Sequence, residues 1–184
     1  MNRPRFLPAA SSAPLFLALV ALVFPGCAGY HMGSIKPQRM EGIKTIAVPS
    51  FINKTLEPRM EVLLANTVIK QIQQDGTYQI AREADADAVL EGTLEEIDRR
   101  PERSVRGNVL LTREYSLILR VRYRVYNRAT GVDLEGRAVT GRTTFFVSGS
   151  NALAADVQQD ERQALPIAAE DLSVRLVSQI AEGW

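Results

Sequence analysis

The chain has one cysteine, one histidine and one tryptophan among 184 residues, and aromatic residues make up 7% of it. A lone cysteine excludes an internal disulfide and a thiolate metal cluster. His31 sits in a short glycine-containing stretch with no orienting partner nearby in sequence, which argues against general acid–base work. There is no Gly-x-Ser-x-Gly elbow, no phosphate loop and no dinucleotide fingerprint. Asp85 and Asp87 lack metal-site spacing. The residues therefore suggest no enzyme, cofactor or metal. No apolar run reaches the roughly 20 residues that a bilayer span requires. A net charge of +1 gives no basic excess for nucleic acid.

What is present starts at the N-terminus. Arg3 and Arg5 precede the apolar run Leu15 to Phe24, which is followed by Pro25, Gly26 and Cys27. A basic segment, a short apolar segment and a small residue before the cut are the parts of an export signal. The run is too short to span a membrane, and Gly26-Cys27 resembles the lipobox of bacterial lipoproteins. Residues 1–26 are read as a signal peptide, Cys27 as the acylated mature N-terminus, and 27–42 as a tether. Removing the leader leaves 158 residues with 20 basic and 21 acidic side chains, a net charge of −1. That length and a 46% hydrophobic content suit one packed domain, residues 43–184.

Residues 43–51 read as a first strand ending against Pro49. Met60, Leu64, Val68 and Ile72 form an apolar helical stripe beside Leu63, with Thr55 or Glu57 as cap and Gly76 as terminator. A second strand spans Ala86 to Ile97, and Arg99 to Gly107 reads as a basic loop. From Leu117 to Tyr126 the chain alternates, with Leu117, Leu119, Val121, Tyr123 and Val125 on one face and Arg120, Arg122 and Arg124 on the other. A fourth strand runs from Val132 to Val147, bent or bulged at Gly136 and Gly141. A last helix, capped within Ser148 to Asn151, reaches Glu182 with a kink or restart at Pro166. Its core stripe is Ala169, Leu172, Leu176 and Ile180. The order β-α-β-β-β-α predicts an α+β two-layer sandwich, with both helices on one face of a four-stranded mixed sheet.

Two basic features are candidates for binding. Arg120, Arg122 and Arg124 either pair with Glu91 and Glu95 across the sheet or receive an anionic ligand. Arg99, Arg100, Arg103 and Arg106 form either a solvated loop or a contact for a headgroup or a polar barrel wall. In that loop Glu102 is the one acid opposing them.

Several segments together resemble the lipopolysaccharide-assembly lipoproteins of the LptE type. They are Cys27-Ala-Gly-Tyr-His31, Ile46-Ala-Val-Pro-Ser-Phe-Ile-Asn53, Thr55-Leu-Glu-Pro-Arg-Met-Glu61, Ala86-Asp-Ala-Val-Leu-Glu-Gly92 and Tyr126-Asn-Arg-Ala-Thr-Gly131, with a final helix ending near Trp184. The resemblance implies a periplasm-facing lipoprotein anchored in the outer membrane, with two helices on a four-stranded sheet. Its implied partners are lipopolysaccharide and the LptD β-barrel, which it would plug and help to assemble. Arg99, Arg100, Arg103, Arg106, Arg120, Arg122 and Arg124 are then the candidate contacts. The alternative is a free-standing periplasmic scaffold of an envelope machine that binds no lipopolysaccharide.

Cys27→Ser should abolish incorporation of labelled palmitate and release the body from membranes, because each buried CH₂ of an acyl chain contributes about 0.8 kcal/mol. A palmitate-labelled Cys27→Ser product would refute acylation at this residue.

Overall fold

The structure, a computed structural model, describes residues 36–103, 113–147 and 154–182. Cys27, His31, Arg106 and the expected cap within Ser148 to Asn151 lie outside the described residues. A 3-10 turn at Gln38–Met40 leads into β1 (Thr45–Ala47), β2 (Ile52–Asn53), α1 (Met60–Asp75) and β3 (Gln79–Ile80). Then come β4 (Ala88–Arg103), β5 (Arg113–Asn127), β6 (Asp133–Val147) and α2 (Ala154–Glu182). The sheet order is β3-β1-β4-β5-β6, with β2 pairing β4. Strands β1, β2 and β3 run parallel to their neighbours, and β4, β5 and β6 form an antiparallel meander. This is the α+β sandwich expected, with six strands rather than four because β2 and β3 add two residues each.

The alternation in β5 places the layers. Leu117, Leu119, Val121, Tyr123 and Val125 are buried in one core with Leu64, Val68 and Ile72 of α1 and Ala169, Leu172, Leu176 and Ile180 of α2. Both helices therefore cover the same face. The packed body reaches back before Ile43, into the stretch expected to be tether, because Met40 is 1% exposed within the core.

Two close approaches fix the helix layer. A Cβ on Gly92 would collide with the ring of Phe51, and one on Gly141 would collide with the carbonyl oxygen of Ala168 on α2. Gly141 thus admits the helix backbone and does not bulge the strand. The bulge of β6 falls instead between the pairs Val125–Glu135 and Tyr126–Asp133, so Gly136 is regular as well. Where α2 crosses β6, the Arg142 N–H donates to Asp171 Oδ2 at 2.9 Å, and the same oxygen accepts Arg175 Nε at 3.0 Å.

Three expectations need correction. The first helix has no Thr55 or Glu57 cap: Arg59 occupies the cap position at φ 66, with no side-chain bond to the helix end. Gly76, at φ 77, terminates it as expected. The second helix does not restart at Pro166 but runs through it for 29 residues. Pro166 faces solvent, where water can satisfy the carbonyl it leaves unpaired. The sheet is also long enough to carry the helix, since 29 helical residues reach roughly 43 Å and a 16-residue strand roughly 50 Å. Finally, Arg99 to Arg103 are not loop but the end of β4, in register with β5 from Leu117 to Glu114. Pro101 is tolerated because beyond Leu94 no described strand lies on the other side of β4, and a register shift follows it.

Leu64 and Leu172 are both fully buried. Leu64→Ala and Leu172→Ala should each lower unfolding free energy by about 2–5 kcal/mol in urea titrations. An unchanged midpoint for either would place its helix off the sheet.

Candidate functional site

The face of the sheet away from the helices is the candidate site, and β4, β5 and β6 build it. Arg120, Arg122 and Arg124 project from β5 on this face, each about half exposed or more. Each meets an acid on β4. Arg124 Nε donates to Glu91 Oε2 at 2.9 Å, Arg122 Nε to Glu95 Oε1 at 2.8 Å, and Arg120 Nε lies 3.4 Å from Glu96 Oε2. The third pair exists because β4 carries a bulge between Leu94 and Glu96. The extra residue, Glu95, turns outward without reversing the strand, so consecutive glutamates serve two arginines on one face. The hydrogen bond from Arg122 holds the Glu95 carboxyl below its ordinary range. Arg124 also lies 3.7 Å from Asp133 and over the Tyr126 ring at 4.8 Å, while Tyr126 Oη donates to Glu91 Oε1 at 3.2 Å.

Beside this row a cleft of about 390 Å³ opens between the segment after β1 and β5. Pro49 and Ile52 give it an apolar wall, and Glu83, Glu91, Thr93, Arg122 and Arg124 give it a polar floor on which two carboxylates face two guanidinium groups. The guanidinium groups keep further N–H donors beyond those spent on glutamate, because each carries five. The arrangement suits an amphipathic anion, with phosphate or carboxylate on the floor and an apolar portion against Ile52.

The other arginines divide. Arg99 lies on the helix side, where its Nε donates to Glu161 Oε1 of α2 at 2.6 Å and its Nη2 lies 4.0 Å from Glu57. The Glu161 hydrogen bond raises its pKa. Arg100 lies on the open face and donates to Asp98 Oδ2 at 2.7 Å. The expectation that Glu102 is the one acid opposing this group therefore fails for both. Neighbouring strand residues face opposite sides, which a loop reading cannot capture. Arg103 is in β4, and Arg106 lies outside the described residues.

The motif segments have structural work of their own. Asp87 Oδ2 accepts the N–H groups of Lys44 at 2.9 Å and Thr45 at 3.0 Å, while Asp87 N–H donates to Thr45 Oγ1 at 2.9 Å. These bonds clamp β1 to β4 and hold the Asp87 carboxyl below its ordinary range, chiefly through the Lys44 N–H. Asn53 Oδ1 accepts Thr55 N–H and Oγ1–H, and its Nδ2 donates to the Glu57 carbonyl and Glu61 Oε2. Sequence reasoning missed this braced loop, although Asn-x-Thr followed by Pro58 is its signature. Among the described residues no group of histidine, cysteine and acidic side chains is placed to hold a metal, and no helix is long and apolar enough to cross a membrane.

Comparison with known proteins follows the same body. The model of the family LptE, described as lipopolysaccharide-assembly, matches residues 43–180. No curated protein matches the chain. Among solved structures, a minor lipoprotein from Acinetobacter baumannii is 20% identical at TM-score 0.50, over 76% of this chain and 91% of that one. A hypothetical protein from Chlamydia trachomatis is 10% identical at TM-score 0.52, over 76% and 96%. A neuraminyllactose-binding hemagglutinin homologue from Helicobacter pylori is 8% identical at TM-score 0.52, over 84% and 92%. At these identities the likeness is one of fold.

The two arginines on opposite sides of β4 should separate in stability. Arg99→Gln leaves the buried Glu161 carboxylate without its partner and should cost about 1–3 kcal/mol. Arg100→Gln, at the surface, should stay within about 0.5 kcal/mol. Equal midpoints in urea for the two variants would contradict the strand assignment of residues 99–103.

Proposed function

The chain belongs to the LptE family of lipopolysaccharide assembly, and from that membership we propose that it works as a lipoprotein of the outer membrane, anchored through Cys27 on the periplasmic side. Its partner in this reading is an LptD-type β-barrel, which it plugs and whose assembly it supports for insertion of lipopolysaccharide. Its role is to scaffold and to bind.

The observation that carries the reading is the polar stretch of the sheet that the helices leave uncovered. Both helices lie on the other side, so Arg100, Arg120, Arg122, Arg124 and Arg142 stand exposed on this face, while Val89, Ser116 and Ile118 on the same face are buried. Its arginines are largely balanced by Glu91, Glu95, Glu96 and Asp98. A face of alternating charge matches the polar lumen of a barrel better than it matches a polyanion. The Ile52 cleft adds a place where the phosphate and acyl portions of lipopolysaccharide meet donors and an apolar wall together. Arg120, Arg122 and Arg124 are the contacts favoured by this geometry. Arg99 is committed to α2, and Arg100 stands beside the row.

The test is mild detergent extraction of the native lipoprotein, followed by identification of what travels with it and by lipopolysaccharide binding. Wild type should bring down a large barrel protein. The triple change Arg120→Gln, Arg122→Gln and Arg124→Gln should remain folded and lose most of the lipopolysaccharide or barrel association, with the greatest loss at low salt. Absence of a barrel in the wild-type extract would favour the free-standing scaffold instead.

A further inference from the structure

The loop between β2 and α1 carries a leucine that nothing in the fold uses. Leu56 is wholly exposed. Single exposed apolar residues are common and usually mean little, but this one is held in place. Asn53 makes four hydrogen bonds within the loop and to Glu61, Thr55 Oγ1 accepts the Glu57 N–H at 3.3 Å, and the Lys54 N–H donates to the Leu94 carbonyl at 3.0 Å. Arg59 closes the loop in the left-handed region at φ 66, alone among the described non-glycine residues. Such a conformation is costly for a side chain with a Cβ and persists where the surroundings impose it, most often at functional positions. The loop thus spends bonds and strain on keeping Leu56 out in water.

Two of the cations near it are uncommitted. Arg59 and Arg162 are exposed and neither lies within ion-pair distance of an acid among the described residues, whereas the Lys54 charge acts on Glu95. The acids close by are already occupied. Glu61 accepts from Asn53, and Glu57 and Glu161 face Arg99. Leu56 and Arg162 line one cleft with Pro58, Arg99 and these last two acids.

We propose that Leu56 is a docking knob that seats in an apolar pocket rimmed by carboxylates on the barrel partner, with Arg59 and Arg162 meeting the rim. The inference rests on the preceding reading for the partner's identity. A rigid apolar anchor flanked by two uncommitted arginines is complementary to that surface in both shape and charge. Because the loop is already ordered, little conformational entropy is lost when it docks.

The experiment measures barrel binding by the detergent-solubilised, acylated protein. Leu56→Ala should weaken binding at least tenfold and Leu56→Asp further, with thermal midpoints unchanged because the side chain buries nothing in the free protein. Val132→Asp, at a different exposed apolar residue, should stay within twofold. Joint replacement of Arg59 and Arg162 by Gln should remove most of the salt dependence. A fluorophore on Leu56→Cys, with Cys27 blocked by acylation, should shift to the blue when the barrel is added. Binding within twofold of wild type by both Leu56 variants overturns the proposal while leaving the barrel reading intact. Failure of wild type to bind the barrel overturns both. A blue shift with phosphatidylglycerol vesicles or lipopolysaccharide micelles alone assigns the knob to a lipid and also overturns it.

Discussion

The alternation along β5 constrains the rest of the molecule. Its inward row from Leu117 to Val125 is sealed from water, and its outward row carries Arg120, Arg122 and Arg124, each facing a carboxylate of β4, with Ser116 and Ile118 buried beyond them. A side-chain period of two allows no intermediate arrangement, since a slip of one residue would bury three arginines. Every apolar stripe elsewhere must therefore find its cover on the inward side, and both helices do. The close approach of α2 at Gly141 and of Phe51 at Gly92 then follows from fitting two layers against one surface. The uncovered polar stretch is thus the direct counterpart of the packed face.

That constraint was visible in the residues, and so was most of the architecture. The four-residue spacing of Met60, Leu64, Val68 and Ile72 and the stripe from Ala169 to Ile180 describe the buried sides of both helices. What escaped depended on contacts between distant segments. Asp98 to Arg103, with five charges and a proline, has the local chemistry of a loop, yet pairing with β5 outweighs it, and the ladder sets Arg99 and Arg100 on opposite faces. The bulge at Glu95 escaped for a similar reason. Leu94 and Ile97 stand three apart and break the alternation, but only the partner strand shows that a bulge lets both glutamates face out. The 3-10 turn that delivers Met40 to the core has no periodicity to detect.

The binding residues were less legible than the fold because the sequence shows charge without showing whether it is spent. Seven arginines were equivalent candidates in one dimension. In three dimensions Arg99 ties a strand to a helix, Arg100 pairs with Asp98 on the other face, Arg120, Arg122 and Arg124 make a paired row, and Arg103 and Arg106 fall where no side chain is described. The family segments carry a similar lesson. Phe51, Asn53, Asp87 and Gly92 hold the β1–β4 junction and its loop together, so they mark the scaffold that presents a surface. Unspent capacity sits among these scaffold residues, as Leu56 and Arg59 do within the segment Thr55 to Glu61.

The Arg142–Asp171 hydrogen bond has a consequence for solubility. Strand β6 is 15 residues long and is the last of its sheet, so its outer backbone groups form a template on which another extended chain can grow. By taking the Arg142 N–H, Asp171 removes one rung near the middle of that template and sets a helix beside it. An incoming strand can match a few residues on one side of the rung but cannot run the full length. Once its last helix has docked, the sheet edge stops accepting strands, so the protein is guarded against edge-to-edge growth only after folding is complete.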